Sequence, residues 1–325
     1  MKKVLAFLLS FVLLVSCMVT CAGAEADKIN IVTTIFPIYD WVREVVGDNA
    51  FHVSITLLLD NGVDLHSYQP TAQDILAIST ADLFIYVGGE SDEWVEDVLQ
   101  TAMNPNLKAI NLVDAMGEDI KMEEIVEGME HEHDQDHEEH DHEESEEHED
   151  HEEHDHDHEH EHEHEDEADE HVWLSLRNAG KLTKVIADTL SEIDPDYAEY
   201  YQANAAAYMG RLADLDARYA ETVNGSAFKT ILFGDRFPFR YLADDYGLTY
   251  YAAFSGCSAE SEASFETIVF LAGKTDELGL PAVLTIEHPK TRIAETIVQA
   301  TSAKNQKILV LDSMQGTTAS DIQAG

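Results

Sequence analysis

Apolar positions along most of this chain recur with the period of a strand or the period of a helix, in alternation. Residues 29–35, "INIVTTI", are β-rich, and beyond Pro37 the residues Ile38, Trp41, Val42, Val45 and Val46 fall on one helical face. "FHVSITLLLD" predicts a second strand that runs into the loop "NGVDLHSYQPT". "TAQDILAISTA" predicts a helix with Thr71 as its N-cap. A buried strand in "DLFIYVGGE", a helix in "DEWVEDVLQTA" and a strand in "LKAINLVDA" complete the first half. This alternation predicts a parallel sheet flanked by helices.

A long helical region follows over residues 175–223, which Pro195 divides into one helix ending near Ile193 and another opening at Asp196. In the second helix Tyr200, Tyr201, Ala205, Tyr208, Leu212, Leu215 and Tyr219 recur at helical spacing, as expected of a connecting strut. The alternation then restarts: "KTILFGD", "LTYYAAF", "PAVLTIE" and "KILVLD" read as strands, with "FRYLADDYG", "SFETIVFLAGKTDELG" and "RIAETIVQATS" as the helices between them. The expected fold class is α/β, with two lobes of parallel sheet flanked by helices, joined by a long rigid helix. In such folds ligand binds in the cleft where strand ends from both lobes converge.

Residues 122–170 break both periods. Their composition predicts a disordered loop in the metal-free chain. Of the 65 Asp and Glu residues, 25 lie in 130–170, and no Lys or Arg occurs between Lys121 and Arg177. The net charge of -46 is therefore largely a local feature, and it argues against binding nucleic acid. Interleaved with the carboxylates are thirteen histidines: His131, His133, His137, His140, His142, His148, His151, His154, His156, His158, His160, His162 and His164. The surrounding negative charge favours imidazolium, so metal competes with protons there. Ordering a flexible chain around an ion costs roughly 1 kcal/mol per fixed residue. The tract is thus expected to bind several ions weakly, as a collector near a tighter site. A solubilising linker is the plain alternative.

The N-terminus, "MKKVLAFLLSFVLLVSC", has a positive start and an apolar run too short to span a bilayer comfortably. "LVSC" has the form of a bacterial lipobox, with Cys17 as the lipidated residue; the alternative is a secretory signal cut near Ala24. Either way the protein is exported, to the outer face of the cytoplasmic membrane or the periplasm. The implied organisation is 1–24 signal region, 25–121 N-terminal lobe, 122–170 acidic loop, 171–223 end of that lobe with the connecting helices, and 224–325 C-terminal lobe. Cys21 and Cys257 sit in no CxxC or CxxH pattern, and Cys257 reads as an unpaired loop thiol without a role.

His66, His171, Asp235 and Asp312 lie in predicted loops at strand ends or helix entries, where a cleft site draws its ligands. Imidazole with one or two carboxylates suits Zn²⁺, with Mn²⁺ as the second choice. Each residue also has an ordinary role: a surface or capping histidine, a helix N-cap for Asp235, a turn former for Asp312. Spacing alone does not choose between them.

The stretches "IVTTIFPIYDWVREVVGD", "GVDLHSYQPTAQDI", "ADLFIYVGGESDEWVED", "DEHVWLSLRNA" and "RIAETIVQATSA" resemble the zinc/manganese-type substrate-binding proteins of bacterial ABC importers, cluster A-I. The His-rich insertion resembles the zinc branch. The resemblance implies two α/β lobes with one metal ion between them, held by His66 and His171 from the first lobe. It departs at the third ligand: the family places His or Glu directly after the first strand of the second lobe, where this chain has Gly234, so that ligand is lost or shifted to Asp235. Asp312 matches the fourth position. Glu260 and Glu287 are reserves, and His288 reads as a surface residue.

The expected function is capture of Zn²⁺ and its delivery to an ABC transporter permease by a monomer held to the membrane through its lipid anchor. The alternatives are a manganese receptor, a zinc hydrolase, or an adhesin. No HExxH motif supports the hydrolase, so no enzyme activity is expected. The family continues beyond the last strand into a closing helix, so the second lobe is expected to be truncated at "TTASDIQAG".

Overall fold

The computed structural model describes residues 28–129, 167–258, 262–287 and 291–324. Cys17, the thirteen tract histidines, Glu260 and His288 lie outside them. The first lobe holds β1 (Ile29–Thr33), α1 (Phe36–Val46), β2 (Val53–Leu57), α2 (Ala72–Ser79), β3 (Leu83–Tyr86), α3 (Trp94–Gln100), β4 (Lys108–Asn111) and α4 (Leu112–Met116). The joining helices are α5 (Leu176–Ile193) and α6 (Ala198–Gly225). The second lobe holds β5 (Thr230–Arg236), α7 (Arg240–Tyr246), β6 (Thr249–Phe254), α8 (Phe265–Glu277), β7 (Ala282–Thr285), α9 (Arg292–Ala300), β8 (Lys307–Val310) and α10 (Ala319–Ala324).

Both sheets are parallel and have the same topology. Their orders are β2-β1-β3-β4 and β6-β5-β7-β8, so in each lobe the second strand lies on one side of the first and the third strand on the other. The chain reverses direction across the sheet beside β1 and beside β5, which opens a crevice at the carboxyl ends of those strands. Ile31, Val32, Phe84 and Ile85 are buried in the first sheet and Leu232, Phe233, Ala252 and Ala253 in the second. Strands covered on both faces read as continuous apolar runs.

The caps follow from sequence. Thr71 and Asp74 form a capping box at the start of α2, and Ser175 Oγ accepts from the Asn178 amide at 3.1 Å to start α5. Asn111 stops β4 early because its side chain accepts from the Asp114 amide and turns the next residues into α4. A 3-10 turn over Pro195–Tyr197 delays the strut, so α6 opens at Ala198 rather than Asp196. Its 28 residues span about 42 Å at 1.5 Å per residue. Among the described residues no helix is long and apolar enough to cross a membrane.

Residues 122–129 and 167–170, expected to belong to a disordered loop, are ordered. Met122 bridges Ala168 in antiparallel fashion, the Glu123 amide donates to Glu167 O at 2.7 Å, and the Asp169 amide to Lys121 O at 2.8 Å. The two feet of the tract are therefore clasped. Residues 122–129 then cross to the second lobe, where Glu124 pairs with Arg240 and Met129 is buried. Gly128, at φ +92°, lies so close to Phe270 of α8 that a Cβ would come within 2.1 Å of the ring. Acidic composition hid a segment that packs through Met129 and, in part, Val126, while Met122 and Ile125 stay exposed.

Candidate metal centre

Loops from both lobes meet at the strand ends. After β2, Asp64 caps a short turn, and its Oδ1 accepts from the His66 amide at 3.0 Å. This holds the backbone beneath His66, whose side chain is 10% exposed. After β3, Ser91 brings its Oγ to 2.7 Å from His66 Nδ1. His171 precedes α5, is fully buried, and keeps its Nδ1 2.9 Å from Asp169 Oδ1. A carboxylate only accepts, so Nδ1 carries the proton and Nε2 is left with its lone pair.

That lone pair faces His66: the two Nε2 atoms are 3.2 Å apart. A tetrahedral Zn²⁺ with bonds of about 2.0–2.1 Å holds two nitrogen ligands roughly 3.3 Å apart, so the pair has the spacing one ion demands. Burial, and then the neighbouring His171, push the His66 imidazole down to about 3, against the opposing pull of Asp64. His66 is therefore neutral at physiological pH, the form that can ligate.

Beside the pair is a cavity of about 290 Å³ whose walls include His66, Ser91, Glu123, Glu167, Glu170 and Cys257. Burial raises the Glu170 carboxyl above its ordinary range. Its Oε1 accepts from the Ser91 amide at 3.0 Å; its Oε2 is buried without a hydrogen-bond partner, 3.8 Å from His66 Nδ1. Gly89, at φ +75°, makes the room, since a Cβ there would lie 2.3 Å from Glu170 Oε1.

From the second lobe comes Cys257, in the loop after β6. Among the described residues, His66, His171 and Cys257 form a group whose donor atoms all lie within 4.8 Å of one another. The approach depends on Gly256, where a Cβ would stand 2.9 Å from His171 Cε1 and 3.1 Å from Phe237 O. Glu123 Oε1 accepts from the Cys257 amide at 3.1 Å. Burial, then Glu123, raises the thiol well above its ordinary value, so the metal-free site holds it protonated. No neighbouring Cys or His marks Cys257 in the sequence; its place at the end of a predicted strand was the available signal.

Asp235 and Asp312 stand outside this group. Asp235 Oδ2 accepts from the Ile286 amide at 3.3 Å, and Asp312 Oδ1 from the Met314 amide at 2.8 Å on an exposed turn. Glu287 holds the same turn through Ser313 Oγ at 2.7 Å and the Ser313 amide at 2.8 Å. Gly234 lies against a helix of the second lobe. A Cβ there would point at α9, 2.6 Å from Ala294 Cα, so the residue is small to let helix and strand touch. The end of β5 instead sends Arg236 into the cleft, 2.5 Å from Asp64 Oδ2 of the first lobe.

The family described as "ZnuA: Zinc-uptake complex component A periplasmic" matches residues 31–323. The zinc-binding lipoprotein AdcA of Streptococcus pneumoniae R6 is 32% identical over 327 residues, which cover 100% of this chain and 58% of AdcA. This chain thus spans little more than half of that relative. The high-affinity zinc uptake system protein ZnuA of Bacillus subtilis is 29% identical, over 94% of this chain and 84% of its own. The Zn(II)-bound ZnuA-like domain of Streptococcus pneumoniae AdcA superposes with a TM-score of 0.64 at 28% identity, covering 92% of each chain. The metal-dependent lipoprotein YcdH of Bacillus subtilis gives 0.67 at 25%, also over 92% of each. Two parallel lobes, a joining helix and a residue match from the first strand into the last helix make this chain a member of the ZnuA family of zinc-uptake components.

Proposed function

We propose that this protein captures Zn²⁺ outside the cytoplasmic membrane and passes it to an ABC-type permease, with His66 and His171 as the first-lobe ligands. The observation that carries the reading is the 3.2 Å separation of their Nε2 atoms, with Asp169 orienting one ring and Ser91 the other. Relatives across the whole chain are named for zinc binding and zinc uptake. The cargo is bound and released without chemical turnover. Lipidation at Cys17 would keep the protein beside its permease as a tethered monomer, and the acidic histidine tract would raise the local zinc concentration.

Competition of the full chain against a zinc chelator tests the reading. The native protein should show one tight Zn²⁺ above several weak ones, and His171→Ala should lose the tight ion by about 100-fold or more, exceeding the cost of losing an outer-shell partner. Unchanged tight binding in His171→Ala would overturn it. Manganese is the second cargo, and equal affinity for Mn²⁺ in the same competition would favour it.

A further inference from the structure

We propose that Cys257 supplies the second lobe's ligand to the captured ion, so that the site is built from two imidazoles and one thiolate. This rests on the zinc-capture reading above. The donor atoms of Cys257, His66 and His171 lie within 4.8 Å of one another, and the three come from both walls of the cleft. Gly256 allows the loop's main chain to lie against the His171 ring, and Glu123 holds the Cys257 amide in place.

Among the described residues, the other second-lobe candidates are engaged elsewhere. A side chain at Gly234 would meet the backbone of α9, and Arg236, a cation, occupies the end of β5. Asp235 and Asp312 accept from backbone amides of Ile286 and Met314. A second observation points to a cation at the same place. Glu170 Oε2 lines the cavity that Cys257 also lines, fully buried and without a hydrogen-bond partner. A carboxylate oxygen withdrawn from water needs positive charge nearby, which an ion on His66 would supply.

The thiolate sets the cargo. Binding releases the thiol proton to solvent as the sulfur–metal bond forms. Sulfur favours Zn²⁺, and still softer Cd²⁺, over Mn²⁺, which takes oxygen donors. The ligand set itself thus disfavours manganese. The ion would thereby tie the two lobes together, through sulfur from the second and nitrogen from the first.

The test uses the full chain with Cys17→Ser and Cys21→Ser, leaving Cys257 as its one thiol. Loaded with a single equivalent of Co²⁺, it should show a thiolate-to-metal charge-transfer band in the near ultraviolet, and Cys257→Ser should abolish the band. X-ray absorption of the one-equivalent zinc form needs no change at the site and should show one sulfur at about 2.3 Å. Cys257→Ala should weaken zinc by about 100-fold while leaving the weak Mn²⁺ binding within a few-fold. Tight zinc binding with only nitrogen and oxygen neighbours overturns the inference and leaves the zinc-capture reading standing. Tight binding that survives both Cys257→Ala and His171→Ala removes the site from both.

Discussion

Single residues decide whether the two imidazoles can meet an ion. His171 is oriented by Asp169 two residues earlier, and Gly256 leaves just enough space on its other side. Gly256→Ala should push the His171 ring or the Cys257 loop aside. The expected cost is about 1–3 kcal/mol of stability, with a loss of zinc affinity larger than that from Ala at an exposed glycine. Chemical denaturation together with chelator competition would measure both.

Asp92 gives a pH-dependent counterpart away from the donors. Its Oδ2 accepts from the Val87 and Gly88 amides while Oδ1 is buried without a partner, and burial raises its pKa to about 7. Unfolded, the group ionises near 3.8. Its contribution is therefore fully present below about pH 4 and is lost as pH rises towards 7. His66 acts in the opposite sense: held neutral down to about 3, it lowers stability as pH falls below 6.5. Asp92→Asn, isosteric with the protonated acid, isolates the first effect. The variant's melting temperature relative to the native protein should rise between pH 4 and 7 and then level off; a difference independent of pH would refute the assignment.

At the scale of elements, the sheets and helices were legible because buried parallel strands are apolar throughout and their helices carry an apolar face. His66 and His171 stood out only through the family resemblance of "GVDLHSYQPTAQDI" and "DEHVWLSLRNA", since spacing alone did not choose them. Cys257 was not legible, since its meaning depends on which first-lobe loops face it. At Gly234 the sequence shows a missing side chain but not its direction. Gly234→Ala places a Cβ against the Ala294 backbone of α9, so it should lower stability by at least about 1–3 kcal/mol. Metal stoichiometry should stay that of the native protein. Loss of the tight ion without loss of stability would show that residue 234 faces the cleft after all.

On the scale of the whole molecule, the cleft is fastened at several separate points. Arg236 reaches Asp64, Trp173 Nε1 donates to Ser313 O at 2.9 Å, and Ser175 Oγ donates to Asp245 Oδ2 at 2.5 Å. The C-terminal segment adds a contact where the Ala319 amide donates to Asp60 O at 2.7 Å. Both partners of the Arg236–Asp64 pair are only 11% exposed, so removing one leaves a desolvated charge. Asp64→Asn should accordingly weaken zinc retention, seen as faster ion release in stopped-flow chelation. Deleting 131–164 should remove the weak zinc equivalents and leave the tight one, with any capture advantage of the tract fading as salt screens its charge.

The clasp between residues 121–123 and 167–169 separates two evolutionary problems. Because the backbone pairs at the base, the stretch between can be lengthened, shortened or recoded while the three residues leading into His171 keep their positions. Closing a loop of twice the length costs only about 0.6 kcal/mol more. If the tract collects zinc as proposed, its capacity could be adjusted to a habitat's metal supply without retuning the receptor beside it.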